Sequence, residues 1–141
     1  MELSFRINKT SDFIFDYLTD MQKFVSVHPV ITKINKTGND SYLVYETLKI
    51  GSIPLSFTYP VTIESKPLDN MVIIRATVMK ITRIEMTFIV RADSGFTIVE
   101  ESIEFKSPLP VKSIMRAIFK KQHEQLFKNI EMVLPSDENH S

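Results

Sequence analysis

The strongest hydrophobic pattern in the sequence is an amphipathic stretch near its end, residues 110–134. At 100° per residue its apolar side chains share one broad arc: Val111, Met115, Ile118, Phe119, Leu126, Phe127, Ile130 and Val133. Lysines and glutamates fall on the opposite side. Pro108 and Pro110 suit a first helical turn, and Pro135 suits a helix stop. The pattern predicts one long helix that buries a single face.

The rest of the chain alternates apolar and polar residues with the period of β-strands. A first strand places Leu3, Phe5 and Ile7 on one face, and two short helices follow before Pro29. Between turn sequences, six further strands are predicted over residues 30–36, 42–50, 53–64, 71–78, 81–92 and 96–106. The order predicts a mainly antiparallel sheet, since consecutive strands are joined by short turns.

The strand over residues 53–64 has the clearest alternation. One face carries Ile53, Leu55, Phe57, Tyr59, Val61 and Ile63, and the alternating polar residues lie on the other face. Pro60 lies on the other face and has no N–H to donate to a neighbouring strand. The strand is therefore expected to be bulged or to lie at a sheet edge at that position.

Composition narrows the possible functions. The 141 residues suit one domain, expected over residues 1–134, with a polar and disordered tail over residues 135–141. Basic and acidic residues number 17 each, so the net charge predicts neither a nucleic-acid partner nor attraction to an anionic membrane. No leader and no apolar run of about 18 residues is present, which predicts a cytoplasmic protein without membrane insertion.

Several chemistries find no support in the sequence. There is no cysteine, the three histidines lack metal-ligand spacing, and the three glycines lie in predicted turns. We therefore expect no metal, no cofactor and no thiolate chemistry.

The order of elements resembles the helix-grip fold of the START-like superfamily, also called SRPBCC. Locally, the stretch from Phe24 through His28-Pro29-Val30-Ile31 is similar to the entry into that fold's second strand, and the helix ending at residues 126–131 fits its last helix. The resemblance implies an α+β fold. In it, a curved antiparallel sheet of six or seven strands wraps around a long C-terminal α-helix, with two short helices after the first strand.

The same resemblance implies a cavity between sheet and helix. The sequence supports this expectation, because the inward strand faces present more apolar surface than one helix can fill. The candidate cavity residues are Phe24, His28, Glu46, Phe57, Tyr59, Ile74, Met86, Phe88, Glu101, Phe105, Met115, Phe119, Gln122 and His123. Any one of them could equally be an ordinary core residue.

Polar residues on apolar faces are the candidates for chemistry, because burying them is costly unless a partner satisfies them. Glu101 shares a face with Val99 and Ile103, and His123 lies among apolar helix residues. The two could form an acid/base pair, or they could satisfy each other as an inert buried pair. His28 could contact a ligand or serve only as a turn residue.

Three functions remain open. The favoured one is a carrier that binds a small hydrophobic molecule, such as a lipid or polyketide, as a monomer or homodimer. The second is an enzyme resembling polyketide cyclases and dehydrases, with Glu101 or His123 moving a proton. The third is an interaction module like the superfamily's chaperone activators, which would need an exposed apolar patch. The outward strand positions are mostly polar and offer no such patch.

Overall fold

In the computed structural model, residues 1–134 form a seven-stranded, curved antiparallel sheet with three α-helices. The elements are β1 (Glu2–Ile7), α1 (Ser11–Thr19), α2 (Met21–Val27), β2 (Ile31–Lys36), β3 (Ser41–Ile50), β4 (Ile53–Lys66), β5 (Met71–Val78), β6 (Thr82–Asp93), β7 (Phe96–Lys106) and α3 (Lys112–Glu131). The strand order is β1-β7-β6-β5-β4-β3-β2. The predicted α+β helix-grip fold is confirmed. The predicted tail over residues 135–141 lies outside the described residues.

The two short helices are joined through a single capping residue. Asp20 ends α1, and its Oδ1 accepts hydrogen bonds from the backbone N–H groups of Gln22 and Lys23 at 3.0 and 3.2 Å. These bonds satisfy donors that the first turn of α2 would otherwise leave unpaired. The shared cap holds α1 and α2 side by side at one side of the sheet.

The long helix is shorter than predicted. α3 begins at Lys112 and ends at Glu131, so Pro108 and Pro110 precede it and do not form its first turn. Val111 occupies the N-cap position and provides no side-chain hydrogen bond. A start without a capping side chain leaves the first N–H groups of the helix to solvent. The prediction that the prolines lie inside the helix was wrong.

The β3–β4 hairpin extends beyond its neighbours in the sheet. β4 pairs with β3 along ten positions but with β5 only from Val61 to Lys66. Pro60 is the residue at which pairing with β5 stops, in agreement with the predicted edge. Ile53 and Leu55 lie beyond this point and are 70% and 49% exposed, although they alternate in phase with the buried Val61 and Ile63. No helix covers this part of the hairpin within the described residues.

The hydrophobic core lies between the sheet, α1, α2 and the second half of α3. Phe127 of α3 stacks on Phe5 of β1, with ring centroids 4.6 Å apart, and contacts Phe88 of β6 at 6.0 Å. The Asn129 side chain donates to the Val27 carbonyl at 2.8 Å. These contacts fix the end of α3 against the sheet and against α2.

Candidate functional site

An apolar cavity of about 140 Å³ lies between the curved sheet and the first half of α3. Its wall comes from α2, from strands β2 to β6, and from α3. The apolar faces of β3, β4 and β5 curve around a part of the helix that does not fill the space between them. The cavity therefore follows from the mismatch between a curved sheet and a single straight helix.

Twelve of the fourteen candidate cavity residues lie in this wall. They are Phe24, His28, Glu46, Phe57, Tyr59, Ile74, Met86, Phe88, Met115, Phe119, Gln122 and His123. Phe105 and Glu101 do not line the cavity. Phe105 packs on Phe119 with ring centroids 5.6 Å apart, which places it behind the wall. Glu101 is fully buried in β7, beside Phe88 in the sheet register.

Glu101 meets His123 beneath the cavity wall. The Glu101 Oε2 and His123 Nδ1 atoms are 2.6 Å apart, and both side chains are almost completely excluded from solvent. The contact has the distance of an ion pair without the angles of a hydrogen bond. Since His123 itself lines the cavity, its ring stands between the carboxylate and any bound molecule. The arrangement places a carboxylate–imidazole pair at the wall.

A second polar pair lies on the opposite wall, on β3 and β4. The Tyr59 hydroxyl donates to Glu46 Oε1 at 2.7 Å. Burial raises the pKa of Glu46, although the hydrogen bond from Tyr59 and the charge of His123 act against that rise. Burial, together with the nearby Glu46, holds the pKa of Tyr59 well above its usual value. Tyr59 therefore remains a neutral hydrogen-bond donor to Glu46.

His28 closes the cavity next to α2. The residue before a proline is disfavoured in the helical region, so α2 ends at Val27 and His28 turns out of the helix. Its Nδ1 accepts hydrogen bonds from the N–H groups of Val30 and Ile31, at 3.2 and 3.1 Å. Burial, with a smaller contribution from the charge of His123, lowers the pKa of His28 to about 3. His28 is therefore neutral at pH 7. It stabilises the turn through its hydrogen bonds and also lines the cavity.

Gln122 is a wall residue whose amide nitrogen has no hydrogen-bond partner in the described chain. It is 8% exposed and lies on α3 next to His123. Its Nε2 makes no hydrogen bond to any residue of the described chain. An amide donor left unpaired in an apolar wall is unusual, because most buried polar groups are satisfied.

Sequence reasoning missed two parts of the site. The first is a set of small and branched wall residues such as Val44, Ala76 and Ile118. Their spacing in the sequence is the same whether they fill a core or border a cavity. The second is a set of exposed apolar residues, here called the apolar rim: Ile53, Leu55, Met79, Ile81, Leu109 and Ile114. The hydropathy of the connecting segments was the signal that could have identified the rim.

The apolar rim lies at the end of the sheet where β3 meets β4, β5 meets β6, and β7 leads into α3. Three of its residues adjoin the cavity wall. Leu55 pairs with Leu48, Met79 follows Val78, and Ile114 precedes Met115. Exposed apolar side chains therefore lie close to the cavity wall at this end, and Leu55 lies on the same sheet face as the wall residue Leu48.

Charge is distributed unevenly although the net charge is zero. The segments at the rim end, residues 47–57, 77–84 and 105–118, contain no aspartate or glutamate. Their basic residues are Lys49, Lys80, Arg83, Lys106, Lys112 and Arg116. These three segments therefore carry basic side chains only, although Glu46, Glu85 and Glu104 lie directly beside them.

Neither a metal site nor a membrane span is found in the part of the chain that the structure describes. Within residues 1–134, no three His, Asp or Glu side chains come close enough to hold a metal ion. No helix in this range has the length and hydropathy that crossing a membrane requires.

Comparison with known proteins identifies the family to which the fold belongs. A model of the family CoxG, described as a carbon monoxide dehydrogenase subunit, matches residues 4–134. CoxG is a family of the SRPBCC type, so the predicted resemblance to the START-like superfamily is confirmed. Among curated proteins, none matches the sequence significantly.

Solved structures share the fold at low sequence identity. A START superfamily protein from Mycobacterium smegmatis has a TM-score of 0.70 and 15% identity over 93% of both chains. Ara h 8.0201 has a TM-score of 0.73 and 14% identity, also over 93% of both chains. The ZhuI aromatase/cyclase from Streptomyces sp. R1128 has a TM-score of 0.63 and 9% identity, over 92% of this chain and 89% of the other. At such identities the likeness concerns the fold alone.

Proposed function

We propose that this chain, which belongs to the CoxG family, binds a small hydrophobic molecule between its sheet and α3. The observation that carries the proposal is the cavity of about 140 Å³, whose wall is largely apolar and aromatic. Ligand sites have this character, with a few polar groups that orient the molecule. The apolar rim supports the proposal because its exposed apolar residues lie next to wall residues, as Leu55 does to Leu48.

Native mass spectrometry of the purified protein, followed by solvent extraction, tests the proposal. The expected result is a co-purified apolar compound at close to one molecule per chain. A variant that fills the cavity, Ala76→Phe, should lose the compound, because Ala76 is a small residue in the wall. The control is Ala117→Phe, which makes the same change at an exposed position of α3 outside the wall.

The comparison of variants also gives the result that would contradict binding in the cavity. If Ala76→Phe folds and retains the compound to the same extent as Ala117→Phe, the molecule is bound elsewhere. If wild-type protein is empty and takes up no apolar compound when titrated, the carrier function is wrong.

A second candidate is an enzyme of the aromatase/cyclase kind, which the contact between Glu101 and His123 favours. An imidazole at the wall, held by a buried carboxylate, is placed to take a proton from carbon next to a ligand carbonyl. A poly-β-keto thioester is a suitable probe. Wild-type protein should consume it faster than His123→Gln. Equal rates in the two proteins would contradict an enzymatic role for the pair.

A further inference from the structure

Gln122 differs from the other glutamine on its side of α3. Gln125 is exposed, and its Nε2 donates to Asn129 Oδ1 at 2.7 Å. Gln122 is buried in the cavity wall, and its Nε2 has no partner within residues 1–134. A buried amide without a partner destabilises the fold, so its retention at a cavity wall points to a partner that comes from outside the chain.

Three other polar atoms of the wall already face protein groups. His28 Nδ1 accepts from two backbone N–H groups, Glu46 Oε1 accepts from Tyr59, and His123 Nδ1 faces Glu101. Gln122 Nε2 is therefore a buried side-chain donor in the wall that remains available to a ligand. A donor of this kind is satisfied by an acceptor oxygen such as that of a carbonyl group.

The size and charge of the cavity limit the ligand further. An apolar cavity of about 150 Å³ accommodates benzene, so a cavity of about 140 Å³ has room for a group of about one ring. The wall contains no lysine or arginine to neutralise an anion. Phe57, Phe88 and Phe119 supply aromatic surface on both the sheet side and the helix side.

We infer that the cavity takes a neutral, single-ring group that carries a carbonyl oxygen, and that this oxygen accepts a hydrogen bond from Gln122 Nε2. The inference rests on the proposed binding function and names the chemistry of its ligand. Gln122 is then the residue that selects an oxygen-bearing ring over a hydrocarbon of the same shape.

Three compounds of nearly equal shape test this selection: acetophenone, isopropylbenzene and 1-phenylethylamine. They carry a carbonyl acceptor, no polar group and a positive charge, respectively. Titration calorimetry at pH 7 should show that wild-type protein binds acetophenone about three- to tenfold more tightly than isopropylbenzene, the range expected for one net hydrogen bond. Gln122→Leu should lose this preference while it keeps its affinity for isopropylbenzene. Gln125→Leu, the matched control, should behave like wild type.

Each other outcome overturns the inference in a recognisable way. Binding of isopropylbenzene without preference for acetophenone would leave the carrier function intact and remove the role of Gln122. Tightest binding of 1-phenylethylamine would assign selection to the Glu46 carboxylate. A preference for acetophenone that survives in Gln122→Leu would place the oxygen at another group. Absence of binding by all three compounds would overturn both the carrier function and the ligand class.

Discussion

The two halves of α3 have different surroundings although they belong to one continuous helix. In the second half, Leu126, Phe127 and Ile130 are at most 2% exposed and pack directly on the sheet. In the first half, Met115, Ile118 and Phe119 are only half-buried and border the cavity, and Ile114 is 63% exposed. The helix is thus anchored at one end and borders an open volume at the other.

This difference shows how one fold combines stability with a binding site. Side chains in a closely packed region lose many contacts when they are truncated, whereas those beside a void have fewer contacts to lose. The end of α3, from Leu126 onward, should therefore dominate the free energy of unfolding, and the wall residues from Met115 to His123 should determine what the cavity accepts.

The largest expected effect comes from truncating the anchor. Phe127→Ala should destabilise the protein by about 3–5 kcal/mol, as expected for a buried aromatic that leaves a cavity behind. Phe119→Ala removes the same atoms from the half-buried side of the helix and should cost about half as much or less. Urea denaturation measures both. Equal losses would contradict the difference between the two halves.

The buried pair of Glu101 and His123 lies at the cavity wall but is closely packed, so it should also be sensitive to truncation. Glu101→Ala leaves the His123 imidazole without its carboxylate and should cost about 3 kcal/mol. Its neighbour Glu100 makes an exposed ion pair with Arg91 at 3.0 Å, so Glu100→Ala should cost less than about 1 kcal/mol. The same denaturation measurement applies. A small effect of Glu101→Ala would show that the pair has no structural role.

The sheet pattern was predictable because it depends on local alternation. The bounds of β5, Met71–Val78, and of β7, Phe96–Lys106, agree with the prediction, and so does the inward position of Glu101. The exposure of Ile53 and Leu55 was not predictable, because alternation gives the face of a residue but not how far the opposing helix extends.

The sequence predicted which residues face the site, but it did not predict the shape of the cavity. Spacing placed most of the wall residues on inward faces, but it could not show that a void separates them. Nor could it show that Phe105 and Glu101 lie behind the wall. Both share the inward face of the sheet with their β6 neighbours Ile84 and Phe88, which do line the cavity. Cavity volume depends on sheet curvature, which no single strand encodes.

Acidification should lower the free energy of unfolding because His28 is harder to protonate in the folded protein than in the unfolded chain. Its pKa is lowered to about 3 in the folded state from 6.5, so between these values the unfolded chain binds more protons than the folded protein. Stability should therefore fall as the pH falls, by up to about 2 kcal/mol between pH 7 and pH 5. Denaturation across this range, compared with His28→Gln, isolates the contribution. An identical pH dependence in the variant would contradict the assignment.

The smallest expected effect concerns the apolar rim. Leu55→Ser should change the stability by no more than about 0.5 kcal/mol, because the side chain is 49% exposed. Val61→Ser, on the inward face of the same strand and 6% exposed, should cost at least about 1 kcal/mol. Thermal denaturation compares the two. A large loss in Leu55→Ser would mean that the rim contributes to the core.

The most direct test of ligand binding in the cavity uses the methionine methyl groups as reporters. Met21, Met86 and Met115 line the cavity, whereas Met132 is exposed at the end of α3 and does not line it. In a protein labelled with carbon-13 at the methionine methyl groups, titration with isopropylbenzene should shift the NMR signals of the first three and leave that of Met132 unchanged. Unchanged signals from Met21, Met86 and Met115 at saturating compound would contradict ligand binding in this cavity.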